Sequence, residues 1–276
     1  MSDKTKPRAF GTAPRNYRQL QAGVPGAQSS FDGLLEFLQQ KLTDPATDRN
    51  LLCRDLLCQI YEGGGRWDDL LKAAAGQPAR LAALHCYDPR NITLEPEHYQ
   101  ELDVARYERV KPLMWLWIMF DRSPVGQNAL LGIPFRRVLA QHVFKKCGQN
   151  VKIWHNVEFS FGYNLSVGDN VVIHRYVLID DRGEVIIGNN VSVSDYVNIY
   201  SHSHSIEDIK IVTTHQTVIE DNVRLTYHST VLSGTRIGRE GMLGAMALLS
   251  RDIQPYHVHV GIPAKSVKVK EKARRG

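Results

Sequence analysis

The chain has 276 residues, 43 % hydrophobic and 23 % charged, an ordinary soluble composition with enough length for one large or two modest domains. Its net charge of +5 is modest and gathers at the two ends, without the aromatic interleaving of a nucleic-acid surface, so no nucleic-acid partner is expected. Four cysteines (Cys53, Cys58, Cys86, Cys147) lack both paired zinc spacing and disulfide-scaffold density, and no charged-then-apolar leader opens the chain; a reducing, cytoplasmic compartment is expected.

Residues 1–28 carry Lys4, Lys6, Arg8, Arg15 and Arg18 in a Gly/Pro/Ser-rich stretch and are expected to form a poorly ordered basic arm. Residues 29–149 read as a helical domain. "SSFDGLLEFLQQKL" opens on serine caps and spaces Phe31, Leu34, Leu35, Leu38 and Leu42 as one helical face. "RNLLCRDLLCQIY" repeats that logic until Gly63-Gly64-Gly65 stops it. "VKPLMWLWIMF" (110–120) is too short and too interrupted to span a membrane; it reads as a buried helix, with a membrane-surface contact through Trp115, Trp117 and Arg122 as the lesser alternative. "GIPFRRVLAQHVFKKCG" reads as a last helix, with Pro134 at its start and Gly148 ending it. None of these segments carries a catalytic signature.

From Val151 the period changes. Ile153, Phe159, Val167, Ile173, Ile179, Ile187, Val193 and Ile199 are apolar at steps of six, with an eight after Phe159 and another after Ile179. A step of twenty then reaches Ile219, and Leu225, Val231, Ile237 and Leu243 follow by sixes. A second aliphatic stands two residues before most of them. Six fits neither helix nor simple alternation; it is the period of a parallel β-helix of hexapeptide repeats, here over 150–264 and followed by a basic tail, 265–276. The fold class is therefore α+β, a helical domain followed by a β-helix.

The three longer steps begin at Phe159, Ile179 and Ile199, twenty residues apart, so all three insertions fall on one corner of a triangular coil. The third is "NIYSHSHSIEDIKIVTTHQT", a loop leaving that corner with His202, His204 and His215. A loop on a rigid coil is where function tends to be placed, and an imidazole there suits general-base chemistry.

"FGYNLSVGDNVVIHRYVLIDDRGEVIIGNNVSVSDYVNIYSHSHS", "TVIEDNVRL", "GTRIGREGMLGA" and "VHVGIPAKSVK" are similar to the maltose and galactoside O-acetyltransferases of the hexapeptide acyltransferase superfamily, over about 150–270. The resemblance implies a homotrimer of left-handed β-helices, with acetyl-CoA as donor between subunits, no metal, and a sugar or glycan hydroxyl as acceptor. The family's Tyr-Thr-x-Thr-His segment corresponds to Tyr200-Ser201-His202-Ser203-His204, which implies His204 as general base, with His202 and His215 as shape residues. Asp181 matches an acidic residue that binds the acceptor or orients the histidine; a turn aspartate is the competing role. Tyr176 stands where the family has an acceptor-site asparagine. On the donor side, Tyr227 falls in the groove lining, Ala245 matches a backbone contact, Ser250 a hydroxyl and Lys265 a phosphate-facing base. The chain departs from the family at Arg224-Leu225-Thr226, in place of Trp-Ile-Gly, and at Met246, in place of glycine. Two alternatives stand beside the transferase: a β-helix scaffold that has lost its donor groove, and a metalloenzyme of the γ-carbonic-anhydrase kind using histidines across subunits.

Overall fold

The structure, a computed structural model, describes residues 20–274. Most of the basic arm expected over 1–28 lies outside them. The helices are α1 (Ala27–Thr43), α2 (Arg49–Glu62), α3 (Trp67–Ala73), α4 (Pro78–His85), α5 (Val104–Arg122), α6 (Pro124–Gln127) and α7 (Ala129–Val143). Short 3-10 turns at Pro89–Asn91 and Glu95–His98 lie between α4 and α5.

The serines expected to cap α1 sit inside its first turn. Gly26 takes the cap position in a left-handed conformation, and the Ser29 and Ser30 hydroxyls donate back to its carbonyl at 2.8 and 3.0 Å. Asp48 caps α2 through the Asn50 and Leu51 amides, and Gly63 ends it at φ 74°. The apolar run 110–120 lies within α5, which buries Leu113, Met114, Leu116, Trp117 and Phe120 and packs against α2 and α7. Among the described residues no helix is long and apolar enough to cross a membrane. Pro134 does not start the last helix. Asn128 does, by accepting from the Leu130 amide, so Pro134 lies in the interior of α7. Nor does that helix reach Gly148: it ends at Val143, and Lys146–Cys147 already pairs as a strand with the coil above.

The coil has three parallel faces. One stacks Lys146–Cys147, Leu165–Val167, Glu184–Ile187, Gln216–Ile219 and Arg236–Ile237. The second runs from Lys152–Ile153 through Val172–Ile173, Ser192–Val193, Arg224–Leu225 and Met242–Leu243 to His257–Val260. The third stacks Glu158–Phe159, Leu178–Asp180, Asn198–Tyr200, Thr230–Val231 and Leu248–Leu249. Register keeps like over like, for example Ile153, Ile173, Val193, Leu225 and Leu243. Every repeat position identified from the six-residue period is buried, except that Phe159 is half-buried and packs on Trp117 and Phe144. Two corners turn through left-handed residues: Asn150, Asn170, Asn190 and Asn222 on one, Tyr176, Tyr196, His228 and Met246 on the other. Asparagine tolerates that conformation better than most residues, which accounts for its recurrence. The third corner carries the insertions. Lys265–Val269, at the start of the expected basic tail, is a strand that folds back antiparallel on His257–Val260.

The helices are fixed to the first coil by a buried ion pair. Arg136 donates to Asp121 at 2.6 Å and to the Gly126 carbonyl, while Asp121 accepts from the Asn156 amide of the coil at 2.7 Å. A second tie holds the loop before α5: Tyr163 accepts from the Asp103 amide at 2.9 Å, and Arg106 lies over the Tyr163 ring.

Candidate active site

At the third corner the chain leaves Tyr200 as a hairpin, His202–His204 pairing antiparallel with Val212–Thr214, and returns at Gln216. Alternate residues of a strand share a face. His202 and His204 accordingly meet edge to face, ring centroids 5.3 Å apart, and both line a cavity of about 830 Å³. The opposite wall comes from the helical region, residues 95–101, and the hairpin tip supplies Ile209, Lys210 and Ile211.

Each imidazole is held by Nδ1. That of His204 lies 2.8 Å from the Ile209 carbonyl oxygen. A carbonyl only accepts, so Nδ1 carries a proton, and in the neutral ring Nε2 is the nitrogen with the free lone pair. His202 Nδ1 is bound to the Asp180 carboxylate. Asp180 is buried, and it also accepts from the Ser160 hydroxyl at 3.1 Å, the Arg182 amide at 3.2 Å and the Ser201 amide at 3.4 Å. Beside it, Arg182 donates to Glu101 and lies 3.9 Å from the Tyr99 ring centroid, so two residues of the helical region clamp a coil residue at the cavity. Burial opposes the Glu101 carboxylate, but the Arg182 hydrogen bond and charge outweigh it and hold the Glu101 carboxyl below its ordinary range.

Of the two roles open to Asp181, its surroundings are those of a turn aspartate. It is fully buried, accepting from the Phe161 amide at 2.7 Å and the Asn164 amide at 3.2 Å, and burial pushes its carboxyl up to about 6. It shapes the corner, and its neighbour Asp180 orients a histidine. Tyr176 is not at the cavity within one chain. It is exposed on another corner, stacked on Tyr196 at 4.9 Å, which stacks on His228 at 4.7 Å. Tyr227 and Ala245 share that corner on successive coils. Ser250 follows the strand Leu248–Leu249, and Lys265 opens the closing strand, brought near by the Ala264 amide donating to the Leu248 carbonyl at 2.8 Å. All four are exposed, and none lines the histidine cavity. Thr226 is buried and donates to the Leu243 carbonyl at 2.8 Å, while Met246 is exposed. His215 returns the hairpin to the coil, its amide on the Ser201 carbonyl. Among the described residues no group of three His, Cys, Asp or Glu side chains is placed to hold a metal ion.

Asp180, Arg182, Tyr99 and Glu101 escaped the sequence reading. The twenty-residue coil places Asp180 beside Tyr200, as the register shows, and so next to the histidine segment. No sequence signal links Glu101 to Arg182, 81 residues away.

Known proteins share this three-faced β-helix. No family model matches the chain. Galactoside O-acetyltransferase of Escherichia coli K12 is 26 % identical over 137 residues, covering 48 % of this chain and 68 % of the relative. A solved maltose O-acetyltransferase from Clostridium difficile 630 is 26 % identical with TM-score 0.54, covering 61 % of this chain and 88 % of that one. A hexapeptide-repeat acetyltransferase of Vibrio cholerae O1 biovar eltor, solved with acetyl coenzyme A, shares the fold at 20 % identity and TM-score 0.54, covering 66 % and 98 %. The chain is thus similar in sequence to galactoside and maltose O-acetyltransferases, and its fold matches the left-handed β-helix of solved hexapeptide-repeat acetyltransferases.

Proposed function

We propose that this protein is an acetyl-CoA-dependent O-acetyltransferase that acts on a hydroxyl of a sugar or glycan, with His204 as general base. The relatives' names support the activity and the acceptor class, and the acetyl coenzyme A complex of a protein with this fold supports the donor. The observation that carries the base is the His204 tautomer: Nδ1 bonded to the Ile209 carbonyl, in a cavity able to take a sugar. His204 Nε2 takes the hydroxyl proton as that oxygen attacks the thioester carbonyl. The C–S bond then breaks, and the departing thiolate takes the proton from the imidazolium, so the enzyme returns to its neutral state. No covalent intermediate on the protein is required, and positioning of both substrates supplies much of the rate.

The donor side is read on Tyr227, Ala245, Ser250 and Lys265, Lys265 by its charge toward a phosphate. Residues 29–149 are read as a helical domain whose 95–101 segment walls the acceptor side, and 150–264 as the transferase domain. A homotrimer accords with the apolar groups exposed on one chain, Ile206, Ile209 and Ile211 on the hairpin and Tyr176, Tyr196 and Met246 on the corner.

The test is thiol release from acetyl-CoA with galactosides, glucosides and maltose as acceptors. The wild type should release thiol only with an acceptor, and His204→Ala should lower kcat by about 10²–10⁴-fold. Release by neither protein with any acceptor would sink the reading in favour of a β-helix scaffold.

A further inference from the structure

His202 was expected only to shape the loop, yet its ring is the more firmly held of the two. Its Nδ1 meets a buried carboxylate that is itself fixed by one hydroxyl and two backbone amides. An ionised carboxylate only accepts, so Nδ1 carries a proton, and in the neutral ring Nε2 is the nitrogen left to accept. His204 presents the same atom in the same state, from the next position on that face of the strand. Both rings line the cavity with centroids 5.3 Å apart, and in their neutral forms each has one nitrogen able to accept a hydrogen bond. One reacting hydroxyl occupies one of them. Hydroxyls on neighbouring carbons of one sugar ring are the closest pair of donors that an acceptor of this class offers to two adjacent imidazoles.

We propose that His202, oriented by Asp180, accepts a hydrogen bond from a second hydroxyl of the acceptor, adjacent to the one His204 deprotonates, so that the enzyme selects diol-bearing sugars over lone alcohols. This rests on the transferase reading above. His202 is then a specificity-determining residue and Asp180 a positioning residue. A site built to bond a hydroxyl rejects an analogue lacking it, because the buried polar partner is left unpaired.

The experiment compares kcat/KM for an acetylated acceptor (methyl galactoside, methyl glucoside or maltose, whichever reacts) with its monodeoxy analogues. Wild type, His202→Ala, His202→Gln and Asp180→Asn are measured side by side. In the wild type, deleting one hydroxyl neighbouring the reacting one should cost about tenfold or more. In His202→Ala the same deletion should cost less than about twofold, as expected when the partner of that hydroxyl is gone. His202→Gln keeps an acceptor and should retain part of the discrimination. Asp180→Asn donates to Nδ1 instead, reverses the tautomer and should lose discrimination as His202→Ala does. An undiminished deletion penalty in His202→Ala overturns the proposal, and so does a wild type indifferent to every deletion. If His202→Ala abolishes turnover on all acceptors as His204→Ala does, His202 is the base and the proposal fails. A wild type that transfers to nothing refutes the transferase reading itself, and the proposal falls with it.

Discussion

Two forces act in opposite directions on Asp181. Burial favours its protonated form, backbone amides favour the carboxylate, and burial wins, leaving the carboxyl at about 6. Unfolded, the same group titrates near about 3.9. A folded pKa above the unfolded one contributes stability that is full below about pH 4 and is lost as pH rises through about 6. In Asp181→Asn that contribution is gone, and the amide offers one acceptor oxygen to the Phe161 and Asn164 donors, at a cost of about 1–3 kcal/mol. Urea unfolding of both proteins from pH 4 to 7 should show the wild-type advantage shrinking as pH rises; an advantage constant or growing with pH would contradict this account. At this scale the sequence pointed to Asp181 and passed over Asp180, because which carboxylate turns inward to the backbone and which meets His202 depends on contacts one coil away along the stack.

The repeat was legible as an element because each inward side chain is buried by copies of itself above and below, so one period carries all the information. The helices were less so. Asn128 and Pro134 both read as start signals for α7, and periodicity does not rank them: Asn128 supplies the cap and Pro134 falls in the interior. Two predictions belong here. The hairpin adds an antiparallel pair outside the coil's own ladder, so replacing 203–213 with a short glycine linker should leave the melting temperature within a few degrees and abolish transfer. Collapse of the coil in that deletion would show that the hairpin is structural. The Arg136–Asp121 pair is buried on both sides, and Asp121→Ala should cost about 3–5 kcal/mol by leaving the guanidinium unpaired. Chemical denaturation measures it, and a loss under about 1 kcal/mol would mean that water or another group takes the place of Asp121.

Across the whole molecule, the helical region and the coil meet where the chemistry is read: Glu101 and Tyr99 hold Arg182 at the rim of the cavity that His202 and His204 line. That meeting was invisible in the sequence, since nothing in the 95–101 segment resembles a site and its partner lies on a distant coil. Sedimentation should return three times the 31.2 kDa chain mass, and a monomer would remove the interfacial donor groove. The most direct measurement is calorimetric titration with acetyl-CoA of the wild type and His204→Ala, each followed by the thiol-release assay with sugar acceptors. The account predicts that both bind the donor, with dissociation constants in the micromolar range, and that the wild type turns over while the mutant is severely impaired. Absence of binding by both would mean that Arg224, Tyr227 and Met246 have closed the groove, and would contradict the transferase.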